Sequence, residues 1–135
     1  MATFVLTDAS VTINSVDLSD HVRSVSFNYE GEAVDDTNMA DTTRIMAGGL
    51  LNYGCNIEFS QDFAASKVDA TLWSLVGSTT TVVLLPTSAS ASSTNPSFTA
   101  TMLLTDYTVI TGSVGDLATA TATFVPAGAV ARATS

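Results

Sequence analysis

The stretch Asn52-Tyr53-Gly54-Cys55-Asn56-Ile57-Glu58-Phe59-Ser60 decides the fold. Its odd positions, Tyr53, Cys55, Ile57 and Phe59, are apolar, and its even positions are polar or glycine. A repeat of two sends one set of side chains into a core and the other to water, which is the pattern of a half-buried antiparallel strand. On a helix the same residues would scatter around the axis and bury no continuous stripe. Ser24 to Glu30 repeats the pattern, with Val25, Phe27 and Tyr29 apolar between Ser24, Ser26, Asn28 and Glu30. From Ser97 to Leu104, Phe98, Ala100, Met102 and Leu104 alternate with Ser97, Thr99, Thr101 and Leu103. Such segments specify a mainly β, antiparallel fold.

Shorter strands fit Val11 to Ile13, Tyr107 to Thr111 and Leu117 to Val125, while Thr81 to Leu85 is continuously apolar and reads as buried on both faces. In the last strand Ala118, Ala120 and Ala122 line one face, and Thr119, Thr121 and Thr123 the other. Branched threonine suits a pleated surface, and the alanine face admits close approach of a second layer. We read that layer as part of the same domain in preference to a neighbouring chain. Between Asp62 and Gly77 the period changes: Ala65, Val68, Leu72, Leu75 and Val76 recur at helical spacing, Asp62 or Ser66 can cap the start, and Gly77 can end it. This predicts one amphipathic helix over about residues 63–76, with Trp73 as a packing anchor against the sheet edge. The whole reads as an antiparallel β-sandwich or barrel with one flanking α-helix and a long inter-strand loop.

That loop is Gly31 to Gly49, which shows no sustained strand or helix period, whereas ordinary connections run to about 4–6 residues. Thr87 to Asn95 is rich in serine and alanine and reads as a flexible surface tip. Residues 126–135 have no core-forming pattern, so a single domain over residues 1–125 is expected to end in a frayed tail or an arm that orders on a partner.

Composition narrows the function. The chain has 135 residues, four Lys and Arg against 13 Asp and Glu, and a net charge of -9. A nucleic-acid binder needs basic residues to replace phosphate counterions, so that class is excluded. Disorder is excluded too, because 46% apolar content and a mean hydropathy of +0.35 can fill a core. At this size folding withdraws roughly two-thirds of the unfolded surface from water without staples. The single Cys55 cannot form an internal disulfide and fits a reducing compartment. Residues 1–8 lack a basic stretch and meet Asp8 early, and Val82 to Leu85 is far short of a membrane span, so folding in a cytoplasm and no membrane insertion are expected.

Catalytic ingredients are scarce. His21, the only histidine, lies in Val16-Asp17-Leu18-Ser19-Asp20-His21-Val22, which reads as a hairpin turn where Asp20 can hydrogen-bond locally. Cys55 sits on an apolar strand face with no base near it in sequence, so it reads as a buried thiol. No glycine-rich phosphate loop or Gly-x-Ser-x-Gly elbow occurs. The expectation is a protein without catalytic site, cofactor or metal. The densest charge is in the long loop, with Glu32, Asp35, Asp36 and Asp41 around Arg44. Its Asp36 to Asp41 stretch lacks the glycine and distal glutamate of a calcium loop. A solvated loop remains open as a reading, beside one in which the charges contact another subunit. The second is favoured because Met39, Ile45, Met46, Leu50 and Leu51 are more apolar than a free loop tolerates. Arg44 is then expected to pair with an acid of a neighbouring chain.

The order of parts, from Phe4 to Val125, resembles the tail tube (major tail) proteins of long-tailed bacteriophages. The segments that carry the likeness are Val16-Asp-Leu-Ser-Asp-His-Val22 and Asp35-Asp-Thr-Asn-Met-Ala-Asp-Thr-Thr-Arg44, together with a short N-terminal strand, one helix and a run of Thr-rich strands. The resemblance implies hexameric rings stacked into a hollow tube through which DNA passes without specific binding. It further implies an inner barrel closed by strands of all subunits and a long loop reaching the adjacent ring. On that implication the contact loop carries Glu32, Asp35, Asp36, Asn38, Met39, Asp41, Arg44 and Met46, and Asn56 and Glu58 face the lumen. Implied partners are further copies of the chain and tape-measure, tail-tip and tail-terminator proteins, in a virion made in a bacterial cytoplasm. The competing readings are a capsid decoration or tail adaptor protein and a carbohydrate-binding β-sandwich, the latter disfavoured by 7% aromatic content.

Overall fold

The computed structural model describes residues 3–134. Seven antiparallel strands form one sheet: β1 (Ser10–Ile13), β2 (Val16–Asp17), β3 (Val22–Asp35), β4 (Met46–Ser60), β5 (Thr79–Leu85), β6 (Ser97–Thr111) and β7 (Thr119–Ala133). The order across the sheet is β2-β1-β5-β6-β7-β4-β3. A short helix α1 (Val68–Leu72), continued by a 3-10 turn over Trp73–Leu75, packs on one side. The sheet curls on itself, because Phe27 of β3 meets Phe98 of β6 with ring centroids 5.8 Å apart although two strands separate them in the sheet. One core therefore serves the whole curl, as in a barrel or a folded-over sandwich.

The alternating residues fill that core. Cys55, Ile57, Phe59, Met102, Leu104, Ala120, Ala122 and Phe124 are buried, joined by Val11, Ile13 and Leu18 from the first hairpin and by Val68 and Leu72 from α1. Fully burying each large aliphatic or aromatic side chain contributes about 1.5–3 kcal/mol. The first hairpin turns on Asn14 and Ser15, at φ 52° and 66°, between the paired residues Ile13 and Val16. Asparagine tolerates this left-handed backbone better than most residues.

Several sequence expectations change. The helix is shorter than residues 63–76, because Ser66 takes a positive φ of 60° and helical backbone begins only at Val68. Asp62 still serves its start: Oδ1 accepts from the Ala64 amide at 2.9 Å, and Gly77, at φ 82°, follows the last turn. Trp73 is 67% exposed and anchors nothing in its own chain. Ala118 is exposed, while Ala120 and Ala122 pack inside the chain as read. In β5, Val82 and Leu84 are buried but Val83 and Leu85 only half so. Thr87 to Asn95 is an ordered turn: buried Asn95 accepts from the Thr87 amide at 3.1 Å and donates to the Ala89 carbonyl at 2.9 Å. Residues 3–9 form no strand.

Two larger corrections concern the supposed loop and tail. Nearly half of residues 31–49 is strand, since β3 runs to Asp35 and β4 starts at Met46, leaving residues 36–45 as the connection. The period was hidden because this part is exposed on both faces, so nothing selects apolar residues on alternate positions, and a register shift at Gly31/Ala33 interrupts it. Likewise residues 126–133 are not a frayed tail but the second half of β7, paired with β6 from Ala100↔Val130 to Ser97↔Ala133. Their small side chains lie mostly exposed and carry no burial signal.

Candidate assembly surfaces

The outer face of β3, β4, β7 and β6 carries two rows of polar residues across its whole width. Register places Ser26, Asn56, Thr123 and Asp106 in one row, and Ser24, Glu58, Thr121 and Thr108 in the next. Asn56 accepts from the Thr123 hydroxyl at 2.9 Å. The two residues expected in a lumen, Asn56 and Glu58, thus stand side by side in this face. Their neighbours Ser24, Ser26, Thr121 and Asp106 were not singled out, although the Thr119/Thr121/Thr123 alternation carried the signal. The basic side chain beside these rows is Arg23, whose Nε lies 4.0 Å from Glu58 Oε1.

Both sides of this four-stranded region end in free strand edges. β3 is the terminal strand and has β4 as its one strand partner, while β6 pairs with β5 only up to Leu103 and runs on to Thr111. Long unpaired edges are templates for pairing with another chain.

At one end, β4 parts from β7 beyond the Cys55↔Phe124 pair, and β3 and β4 continue as a two-stranded arm. Residues 46–52 extend it by roughly 20 Å at the rise of a strand. Leu50 is 80% exposed, Leu51 and Met46 are exposed, and Met39 at the tip is wholly so. The tip holds its own shape: Arg44 Nη1 donates to Asp35 Oδ2 at 3.0 Å, Asp41 Oδ2 accepts from the Asn38 amide at 2.7 Å, and Thr37 donates its amide to Asp35 Oδ1. Hydrogen bonds from Thr37 hold the Asp35 carboxyl below its usual range. Asp35, Asp36, Asn38, Met39, Asp41 and Arg44 therefore gather at the tip, while Glu32 and Met46 lie on the strands below. Arg44 finds its acid within its own arm, where a neighbouring chain was expected to supply it. Gly49 is required where the two strands approach, since a Cβ there would stand 2.9 Å from Val34 Cγ2.

Cys55, His21 and Tyr107 are each held in the body by burial or by hydrogen bonds. Burial pushes the Cys55 thiol up to about 12, so it is neither a thiolate nor a nucleophile at neutral pH. His21 lies between two carboxylates, with Nδ1 2.8 Å from Asp20 and Nε2 2.8 Å from Asp62. Burial opposes its protonation, but the hydrogen bonds to Asp20 and Asp62 outweigh it and raise its pKa. In the protonated state both ring nitrogens donate, and the imidazolium clips the turn before β3 to the start of the helical segment. The Tyr107 hydroxyl, pushed up to about 12 mainly by burial, joins Asp69 at 2.9 Å and Gln61 at 3.0 Å, fixing α1 to β6. Among the described residues no cluster of His, Cys, Asp and Glu could hold a metal, and no helix is long and apolar enough to cross a membrane.

The sequence matches no protein-family model and has no match among curated proteins. Solved structures do match. A chain in the virion of a native gene transfer agent particle superposes with a TM-score of 0.74 at 14% identity, covering 93% of this chain and 95% of that one. A chain in the tail of an empty gene transfer agent particle, refined with C6 helical symmetry, gives 0.66 at 16% identity over 82% and 81%. One in the sixfold-symmetrised baseplate of the anti-feeding prophage gives 0.57 at 11% identity over 98% and 97%. The curled seven-stranded sheet is thus a fold shared with chains of gene transfer agent virions and tails.

Proposed function

We propose that this chain is the structural subunit of a phage-type tail tube, closing into hexameric rings that stack into a hollow conduit for DNA. The observation that carries the reading is the polar four-stranded face bounded on both sides by free edges. Copies pairing β3 of one with the Thr105 to Thr111 end of β6 in the next would cover both edges of the four-stranded region and make the polar face the inside of a ring. The sixfold symmetry of the similar tail supports closure at six. A wall of Ser, Thr, Asn, Glu58 and Asp106, on a chain of net charge -9, offers phosphate little to hold and lets DNA slide. Nothing in this role makes or breaks a bond. The subunit would be made in a bacterial cytoplasm, reside in the virion, and meet tape-measure, tail-tip and terminator proteins at the tube's axis and ends. The likeness to a baseplate chain favours, as a second reading, an adaptor ring that closes at six but does not stack.

Engineered cysteines test the closure, since buried Cys55 stays silent. Paired Ser26→Cys and Thr108→Cys variants should oxidise into a ladder of bands on non-reducing gels that stops at six. A ladder that stops at two, or none at concentrations where particles form, would contradict it.

A further inference from the structure

We propose that residues 3–9, the segment leading into β1, guard the free edge of β3 and hold the single chain out of ring closure until they swing away; the assignment rests on the ring reading above. β3 has β4 on one side and no strand on the other. At its start, Val22, Ser24 and Val25 share a hollow of about 160 Å³ with Leu6, Thr7 and Ala9. Ser24 belongs to the polar face of the strand and Val25 packs against the core, so a hollow that touches both opens at the strand's edge, and β4 already holds the other edge. Residues 6–9 therefore stand beside the place that a strand of the next copy has to take, about 4.8 Å from β3.

The guard is seated loosely. Phe4-Val5-Leu6-Thr7 is apolar and partly branched, a sequence suited to a strand, yet residues 3–9 form none, and among the described residues no backbone hydrogen bond ties them to β3. Phe4 and Leu6 line a second, apolar hollow of about 290 Å³ with Val25, Phe27 and Phe98, but stay 59% and 52% exposed. This half-burial is joined by one side-chain hydrogen bond, from Ser88 Oγ to Asp8 Oδ2 at 2.9 Å. A covered edge keeps single chains from pairing at random. The cover gives way when β6 of a second copy offers β3 the backbone hydrogen bonds that residues 3–9 do not make, and the exchange shifts the chain from its guarded to its open state.

Two variants of the full chain test the guard by sedimentation and electron microscopy over a concentration series. In the first, Thr7→Cys and Ser24→Cys, both exposed, are joined by a short cleavable bis-maleimide while Cys55 stays buried. The joined chain should remain monomeric where the unjoined chain forms rings, and cleaving the linker should bring the rings back. In the second, Phe4→Ser with Leu6→Ser should free the segment and lower the concentration needed for rings at least about tenfold, since the competent fraction of chains rises. The cross-link decides the matter even if the double serine variant disturbs folding. Rings from the joined chain at the unjoined concentration, no recovery on cleavage, or a folded double serine variant that needs the wild-type concentration or more would overturn the guard. A wild-type chain that forms no rings at any concentration would overturn the ring reading itself.

Discussion

Strands β3 and β4 each live in two environments. In their body halves, residues 22–29 and 53–60, one face packs on the core and the other is polar, whereas in the arm, residues 30–35 and 46–52, both faces are exposed. The hydrogen-bonded ladder hardly notices the change, running from Val22↔Phe59 to Asp35↔Met46 with two register shifts. Backbone pairing continues while side-chain burial stops. Leaving Leu50, Leu51 and Met39 in water forgoes about 1.5–3 kcal/mol for each large side chain that a second copy could bury. The body buries its apolar side chains within the chain, and the arm leaves its own exposed.

Removing the arm tests this contrast most severely. Replacing residues 36–45 by a two-residue Asn-Gly turn should abolish tubes while thermal unfolding of the body stays cooperative; loss of the fold would show that the arm belongs to the core. Next, Phe59→Ala should cost about 3–5 kcal/mol in denaturant unfolding, while Leu50→Ala on the same strand should cost less than about 0.5 kcal/mol in the monomer. Equal costs would erase the distinction. On the polar face, Asn56→Lys with Thr121→Lys should leave assembly intact but make tubes retain DNA at low salt. Retention should fall with log salt at a slope steeper by about 0.9 for each phosphate that the new lysines neutralise.

The His21 clip gives a smaller effect confined to the body. Its raised pKa means that its contribution is fully present below the unfolded value of 6.5 and is lost as pH rises through the folded value. Asp20, lowered by the His21 hydrogen bond, and Asp62, lowered first by the Ala64 amide and then by His21, contribute above 3.8 and lose it as pH falls through their folded values. The melting temperature should therefore decline on the alkaline side of this window, and His21→Gln should flatten that limb. An unchanged limb would remove the clip from the account. The smallest effect belongs to Trp73→Ala, which should shift stability by no more than about 0.5 kcal/mol because the ring is exposed.

The same contrast explains what the sequence disclosed. Ile57 and Phe59 announced their strand because a core selects alternate positions, and Val68 and Leu72 announced a helix for the same reason, though too long a one. Leu50 and Leu51 stand on neighbouring positions of one strand and most of residues 126–133 are small and exposed, so neither segment bears a mark of the sheet it belongs to. The tip residues from Asp35 to Arg44 stood out by charge, but their pairing did not, since it needs the turn that brings Asp35 to Arg44.

The most direct test of the central claim is end-on electron microscopy of the purified chain at rising concentration. The account predicts hollow rings of six copies, then tubes of the same cross-section, with a bore wide enough for duplex DNA. A monodisperse monomer at every concentration, even with a tail-tip nucleus added, or a solid filament without a bore, would contradict it.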